Sequence, residues 1–409
     1  MQCRFCNTEL EHTFIDLINS PASNSFLTKK QLNEPETFYP LKVYTCQNCF
    51  LVQVDEYKKS DAIFNSDYVY FSSYSTSWLS HAKNYTELMI EKFGLNAQSQ
   101  VVEIASNDGY LLQYFKEKGI PVLGIEPTAN TAEVATGKGI KTIVEFFGVE
   151  LADRLVNQLK IKADLLLGNN VLAHVPDIVD FVGGMKIVLA DKGVVTMEFP
   201  HLVQLIDNNQ FDTIYHEHFS YLTFHTVKQI FEAAGLELFD VDEIPTHGGS
   251  LRIYAKHKED SSKTISQNVK SLLDKEIIKG VTKLEYYDNF QQKALWVKLG
   301  VISFLIEQKK AGKRVAAYGA AAKGNTLLNY CGIKNDLIEF VVDANPNKQN
   351  KWLPASHIPV VNEEYLKAAK PDYVLILPWN LKEEITAQLS YIKEWGGQFV
   401  IPIPHLQVI

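Results

Sequence analysis

The sequence predicts an α/β protein whose central part is a doubly wound parallel sheet ending in an antiparallel hairpin. Three observations carry that expectation. Strand-like apolar runs alternate with helical patterns between residues 100 and 198, and such alternation builds a parallel sheet with helices on both faces. Two further strand-like runs, 236–244 and 250–256, are joined only by Thr246-His247-Gly248-Gly249, and so short a link makes the pair antiparallel. A second series of strand and helix patterns follows residue 310, so a smaller Rossmann-like α/β unit is expected behind the first.

Length and composition agree. The chain has 409 residues, room for two or three domains at about 150 residues each. Hydrophobic residues make up 46% and charged residues 22%, a globular balance that excludes disorder and fibrous repeats. Net charge is −8, from 40 Lys and Arg against 48 Asp and Glu. That argues against nucleic acid or an anionic membrane as partner. No apolar run approaches the roughly 20 residues of a bilayer span. The start, Met1-Gln2-Cys3-Arg4-Phe5-Cys6, lacks the apolar stretch of a secretory signal. A cytoplasmic protein is expected.

Three zones follow along the chain. Residues 1–80 hold four of the five cysteines, and so small a lobe benefits from a staple. Residues 81–260 hold the main sheet, with strands expected at 100–105, 121–126, 141–144, 163–168 and 193–198. Helical patterns lie at 109–118, 128–137, up to about 160, after Pro176 and at 226–234. The third zone, 261–409, opens with a polar, helix-prone stretch to about 310 that reads as a connector. Strands at 314–318, 338–343, 373–377 and 398–401 and a helix at 320–331 complete it.

The cysteines come in two pairs, Cys3-x-x-Cys6 and Cys46-x-x-Cys49. Two such thiolate knuckles complete a tetrahedral site for Zn²⁺. Four ordinary buried thiols or a redox pair are the competing readings. Four Cys ligands leave no open position, so a structural rather than a catalytic metal is expected.

Four further segments carry chemistry. The first is the strand–turn–helix Glu103-Ile104-Ala105-Ser106-Asn107-Asp108-Gly109, whose small and polar turn lets a ligand approach the backbone and the helix start. It lacks the G-x-G-x-x-G of a dinucleotide site. Glu126 ends the next strand, where an acid accepts hydrogen bonds from ribose hydroxyls. Asn169 and Asn170 end the fourth strand, on the same ligand-binding edge. The second is Tyr215-His216-Glu217-His218: its histidines are too close for a zinc protease helix but suit acid–base work. His174 follows the fourth strand and is expected in the same cleft. The third is the tyrosine-rich run containing Tyr68, Tyr70 and Tyr74, which either closes the cleft or packs between domains. The fourth is Tyr318-Gly319-Ala320-Ala321-Ala322-Lys323-Gly324-Asn325. It fails the P-loop pattern, which needs Lys after the second Gly, yet its turn can hold a diphosphate on backbone N–H groups with Lys323 nearby.

Together these pieces resemble one family. With Asn170-Val171-Leu172-Ala173-His174-Val175 and Gly248-Gly249-Ser250-Leu251-Arg252, the chain is similar over nearly its whole length to the sugar C-methyltransferases of deoxysugar biosynthesis. These act on nucleotide-linked 4-keto-6-deoxy sugars. The resemblance implies a class I methyltransferase sheet that binds S-adenosylmethionine (SAM), between an N-terminal zinc lobe and a C-terminal nucleotide-fold domain. It implies that Glu103, Ala105, Ser106, Asn107, Asp108, Glu126 and Asn169 face SAM. It makes His218 the general base, with Tyr215 and Glu217 beside it, and Asn170 and His174 contacts of the sugar. Tyr70 matches a tyrosine from the first lobe, and Tyr318 and Lys323 belong to the substrate side. Carbon 3 is the family's commonest target. The acceptor is a TDP- or GDP-sugar, and a three-lobed chain that closes its own site is expected to be a monomer. An O- or N-methyltransferase, or a zinc-stapled nucleotide-sugar-binding protein without catalysis, would keep much of the same pattern.

Overall fold

The computed structural model describes residues 1–59 and 70–409. Among them three sheets form. The N-terminal zone gives β1 (His12–Ser20), β2 (Tyr39–Thr45) and β3 (Val52–Val54). α1 (Thr76–Phe93) follows, with the Ser75 hydroxyl accepting from Trp78 N at its start and left-handed Gly94 at its end. Both ends thus have the partners that a helix terminus lacks on its own.

The central sheet takes the expected strands in order. They are β4 (Val101–Ile104), α2 (Leu112–Glu117), β5 (Val122–Ile125), α3 (Ala129–Gly137), β6 (Thr142–Ile143), α4 (Val149–Asn157), β7 (Ala163–Asn169), α5 (Ile178–Val188) and β8 (Leu189–Pro200). Next come α6 (Leu202–Asp207), β9 (Ser220–Tyr221), α7 (Phe224–Ala233), β10 (Leu236–Ile244) and β11 (Ser250–His257). The strand order is β10-β11-β8-β7-β4-β5-β6. β4 to β8 are mutually parallel, and β11 runs antiparallel to both β8 and β10. β4 is buried along its length, as a strand covered on both faces must be. One covering layer is built on α4, α5 and α7, the other on α1 and α2.

The third zone contains α8 (Gln267–Lys279) and α9 (Phe290–Lys310). It continues with β12 (Val315–Tyr318), α10 (Ala322–Cys331), β13 (Val341–Val342) and β14 (Val360–Val361). α11 (Glu363–Ala369), β15 (Tyr373–Ile376), α12 (Lys382–Gln388), β16 (Gln398–Ile401) and β17 (Gln407–Val408) close it. Its sheet runs β14-β13-β12-β15-β16-β17. Only the β16–β17 pair is antiparallel. No helix of the described residues is long and apolar enough to cross a membrane.

Two features differ from the expected layout. The connector is half core: α9 buries Phe290, Ala294, Val297, Val301, Phe304 and Leu305. Phe290 stacks on Phe14 of β1 at 4.7 Å, so one apolar cluster runs from the first lobe into the third. And β9, from the central zone, joins the first lobe's sheet as Val52↔Tyr221 and Gln53↔Ser220.

That strand ends an excursion that leaves β8 at His201 and returns at Leu222. The two points touch, with Leu202 N–H donating to the Leu222 carbonyl at 2.9 Å. One buried carboxylate ties the base of the excursion. Glu276 of α8 takes His201 Nε2, Phe224 N–H and His225 N–H, each at 2.7 Å. With the Thr223 hydroxyl on Thr226 N–H and its carbonyl on Val227 N–H, the first-turn donors of α7 are all satisfied. Glu276→Ala strands three donors at once, two of them fully buried. The expected loss is about 3 kcal/mol or more, read as a shift in the urea midpoint. A loss below about 1 kcal/mol would mean that those donors find other partners.

Candidate active site

The four cysteine sulfurs gather at the edge of the first lobe, all within 4.8 Å of one another. Cys3–Cys49, Cys6–Cys46 and Cys6–Cys49 are each 3.5 Å apart. A disulfide needs about 2.05 Å. A tetrahedron of sulfurs about 2.3 Å from zinc has edges of about 3.8 Å. The donors therefore fit Zn²⁺ and not a disulfide. The Gln53 amide donates to Cys3 Sγ at 3.2 Å, and its oxygen accepts from Arg4 N–H at 2.9 Å. Arg4 reaches the Pro176 carbonyl at 2.6 Å and lies over the Phe219 ring. The metal knuckle is thus anchored to the loop after β7 and to the excursion.

A cavity of about 330 Å³ opens at the carboxyl ends of β4, β5 and β7, the ligand edge of such a sheet. Four of the seven expected cofactor residues line it: Ala105, Asn107, Glu126 and Asn169. The other three do not. Glu103 is fully buried, and its two oxygens have no hydrogen-bond partner among the described residues. Burial and the charges of Asp108 and Glu126 hold its pKa well above the ordinary carboxylate value. Ser106 is packed against Gly124. Asp108 accepts from Ser73 N–H at 3.3 Å and lies 3.7 Å from the Lys138 ammonium. The Glu126 oxygens accept from the N–H groups of Asn107 and Thr128 at 2.9 Å, with lone pairs left for ribose hydroxyls. The Asn169 amide has no partner on either atom among the described residues. Phe146 and Phe147 add apolar walls. They follow β6 on the same sheet edge, which is the signal that would have found them. Trp78, on α1, also lines the cavity and carried no such signal.

The β4–α2 turn puts Ala105 at φ 56°, Asn107 at φ 49° and Gly109 at φ 74°. Asn170, across the cavity, is at φ 59°. Left-handed backbone costs a non-glycine residue about 1–2 kcal/mol and gathers where function requires it. A turn with one glycine takes the shape three would adopt freely, which lets the backbone face the cavity.

The expected acid–base residues stand next to this cavity, two of them on its wall. His174 and Tyr70 line it; Tyr74 is exposed, and Tyr68 lies outside the described residues. His218 packs behind His174, ring centroids 4.5 Å apart. The His218 Nδ1–H donates to the Thr213 carbonyl and its Nε2 meets the Tyr215 hydroxyl, both at 2.8 Å. A carbonyl only accepts, so in the neutral ring Nδ1 holds the proton and Nε2 holds the lone pair. Burial first, then His174, holds the His218 pKa well below 6.5. Burial likewise takes His174 to about 4. Tyr215 is pushed well above 10 by burial and stays a phenol.

Glu217 and His216 turn away. The Glu217 carboxylate accepts from the Asn24 amide at 2.8 and 3.0 Å, and burial raises its pKa to about 7. The expectation that it sits beside the base as Tyr215 does is thus corrected: its hydrogen bonds tie the excursion to the first lobe. His216 Nε2 donates to the Pro40 carbonyl at 3.1 Å.

The third zone faces a second cavity of about 550 Å³, lined by Gln210, Gly248, Trp379 and Asn380 among others. Lys323 donates to Asn380 Oδ1 at 2.7 Å and lies 4.9 Å over the Trp379 ring. Tyr318 points elsewhere, its hydroxyl accepting from Gln388 at 3.1 Å. Ala320 N–H, expected to be open to a diphosphate, donates to Asp343 at 2.8 Å.

Comparisons with known proteins identify relatives of the chain. The profile of a family described as "C-methyltransferase C-terminal domain" matches residues 245–404. A "zinc binding domain" profile matches 3–64, and a "Methyltransferase domain" profile matches 78–241. The C-methyltransferase NovU of Streptomyces niveus is 33% identical over 408 residues, covering 100% of this chain and 96% of that protein. Among solved structures, an S-adenosylmethionine-dependent methyltransferase from Clostridium acetobutylicum is 11% identical, covers 44% of this chain and 92% of its own, and has a TM-score of 0.36. One from Anabaena variabilis is 13% identical, covers 44% and 86%, with a TM-score of 0.36.

Two outcomes follow. Elemental analysis should find one zinc per chain, and Cys46→Ser should lose it; full metal content in that variant would contradict the tetrathiolate assignment. Ala105→Gly should stabilise the protein by up to about 1 kcal/mol, the relief of left-handed strain less the added chain entropy of glycine. A lower urea midpoint for this variant would show that Ala105 carries no strain.

Proposed function

The chain belongs to the C-methyltransferase family, and on that premise we propose that it methylates carbon 3 of a nucleotide-linked 4-keto-6-deoxy sugar. The observation that carries the reading is the Thr213–His218–Tyr215 chain of hydrogen bonds at the edge of the cofactor cavity. Methylating carbon needs a carbanion equivalent, and a ketone at carbon 4 acidifies the neighbouring C–H. A neutral imidazole whose Nε2 lone pair is held only by the displaceable Tyr215 hydroxyl is the base for that proton.

SAM supplies an electrophilic methyl group, and its family-expected place is the cavity lined by Glu126, Asn107 and Asn169. The bound sugar displaces the Tyr215 hydroxyl from His218 Nε2. His218 takes the carbon 3 proton, with Thr213 holding the other face of the imidazolium that results. Tyr215 or His174 donates to the enolate oxygen at carbon 4. Asn170 orients the ring, and Tyr70 closes the cavity from the first lobe. The nucleotide end lies toward Lys323, Asn380 and Trp379. No protein nucleophile is needed, and holding two substrates in line supplies much of the rate.

Two arms test the reading. With SAM and a panel of TDP- and GDP-linked 4-keto-6-deoxy sugars, mass spectrometry should show one added methyl, placed on carbon 3 by fragmentation. In deuterated water without SAM, the wild type should exchange the carbon 3 hydrogen, and His218→Ala should lose at least about a hundredfold of that rate while still binding SAM. Near-normal exchange in His218→Ala removes His218 as the base. Methyl transfer without any exchange would point to an oxygen or nitrogen acceptor.

A further inference from the structure

The carbonyl that holds His218 belongs to a short 3-10 turn, Phe211–Thr213. A turn of that length has little stability of its own. Two donors from the third zone grip it. The Trp379 indole Nε1–H donates to Asp212 Oδ2 at 2.8 Å, and the Thr326 hydroxyl donates to the Ile214 carbonyl at 2.8 Å. Asp212 is wholly buried, and its other oxygen has no hydrogen-bond partner among the described residues. A buried carboxylate with so few partners leans heavily on each one. Burial raises its pKa to about 6, against the nearby charge of Lys323. The indole itself is tightly seated: a Cβ on Gly248 would come within 2.5 Å of it.

We propose that the Asp212–Trp379 hydrogen bond is a positioning clamp that fixes the Thr213 carbonyl on His218 Nδ1 and so leaves Nε2 as the basic atom. Released from the clamp, the turn can swing its carbonyl away, and a neutral imidazole then carries its proton on either nitrogen. The same indole is a wall of the second cavity. Whatever fills that cavity presses on the group that holds the base in register, which makes the third zone part of the support of the base. The role of His218 as base rests on the reading above; the clamp itself is a statement about tautomer.

The test uses the full chain labelled with ¹⁵N-histidine. Long-range ¹H–¹⁵N spectra report which ring nitrogen of His218 carries the proton. Wild type and Asp212→Asn, which keeps an acceptor for the indole, should both show the Nδ1–H form. Trp379→Phe, which keeps a ring and drops the donor, should show a mixture of tautomers. It should also lower kcat about tenfold to a hundredfold with SAM affinity by calorimetry within twofold of wild type. A wild-type His218 signature in folded Trp379→Phe overturns the proposal. Should that variant fail to fold, Asp212→Ser, too short to reach the indole, decides by the same signature. A wild type that methylates none of the sugars overturns the acceptor assignment, while the tautomer comparison, which needs no acceptor, still judges the clamp.

Discussion

The placement of His218 depends on the excursion between β8 and α7, a stretch of more than twenty residues whose second half has only a 3-10 turn and the two-residue β9 as regular structure. Such a segment can be buried only if its backbone polar groups find partners elsewhere. They find them on three sides. Phe219 N–H donates to the Ala173 carbonyl, and the Phe219 carbonyl accepts from Val54 N–H. Ser220 and Tyr221 pair with β3. The Ile214 carbonyl takes Thr326. No single lobe could hold the segment, so the three-lobed architecture is what this one loop requires. The zinc knuckle matters for the same reason: through Gln53 and Arg4 it braces the strand on which the excursion ends.

Burial also sets the chemistry. A histidine in water is partly protonated near neutrality, and a protonated ring cannot take a proton from carbon. Inside this loop the charged form of His218 is disfavoured by lost solvation and by His174, His247 and Lys323. Glu217 would reverse that effect if it lay against the ring. The structure turns it to Asn24 instead, where burial weakens it as an acid. Two neighbouring residues in the sequence thus part ways: burial keeps the imidazole of one neutral, and the carboxyl of the other joins lobes.

Much of this was legible beforehand. Strand period and turn residues placed the central sheet, and cysteine spacing placed the metal site. The misses have physical causes. β9 is two residues long, too short for any period to register, and its partner lies far away in sequence. The apolar positions of α9, from Phe290 through Ala294, Val297 and Val301 to Leu305, follow a helical stripe, but the lysines and glutamines between them lower the average and hide it. Backbone conformation was invisible as well. The absence of glycines at 105 and 107 reads as a different kind of turn, yet the chain accepts the strain and keeps the shape. Side-chain direction was the last loss: the compact Tyr-His-Glu-His run reads as one cluster, but only Tyr215 and His218 stay together while His216 and Glu217 turn away.

The third zone shows how a familiar fold can be turned to another use. Its small-residue turn after β12 has the sequence of a phosphate cradle, but the turn is closed by the chain itself. Ala320 N–H is taken by Asp343, the Ala320 carbonyl by Lys348, and a Cβ at Gly319 would meet Pro378 at 2.4 Å. A ligand phosphate would have to break those contacts before gaining any of its own. The open cavity on this side is walled instead by Trp379 and Asn380, with Lys323 donating to Asn380 and lying over the indole. That wall is also the one that reaches Asp212, so a single indole both bounds the cavity and holds the turn whose Thr213 carbonyl accepts from His218.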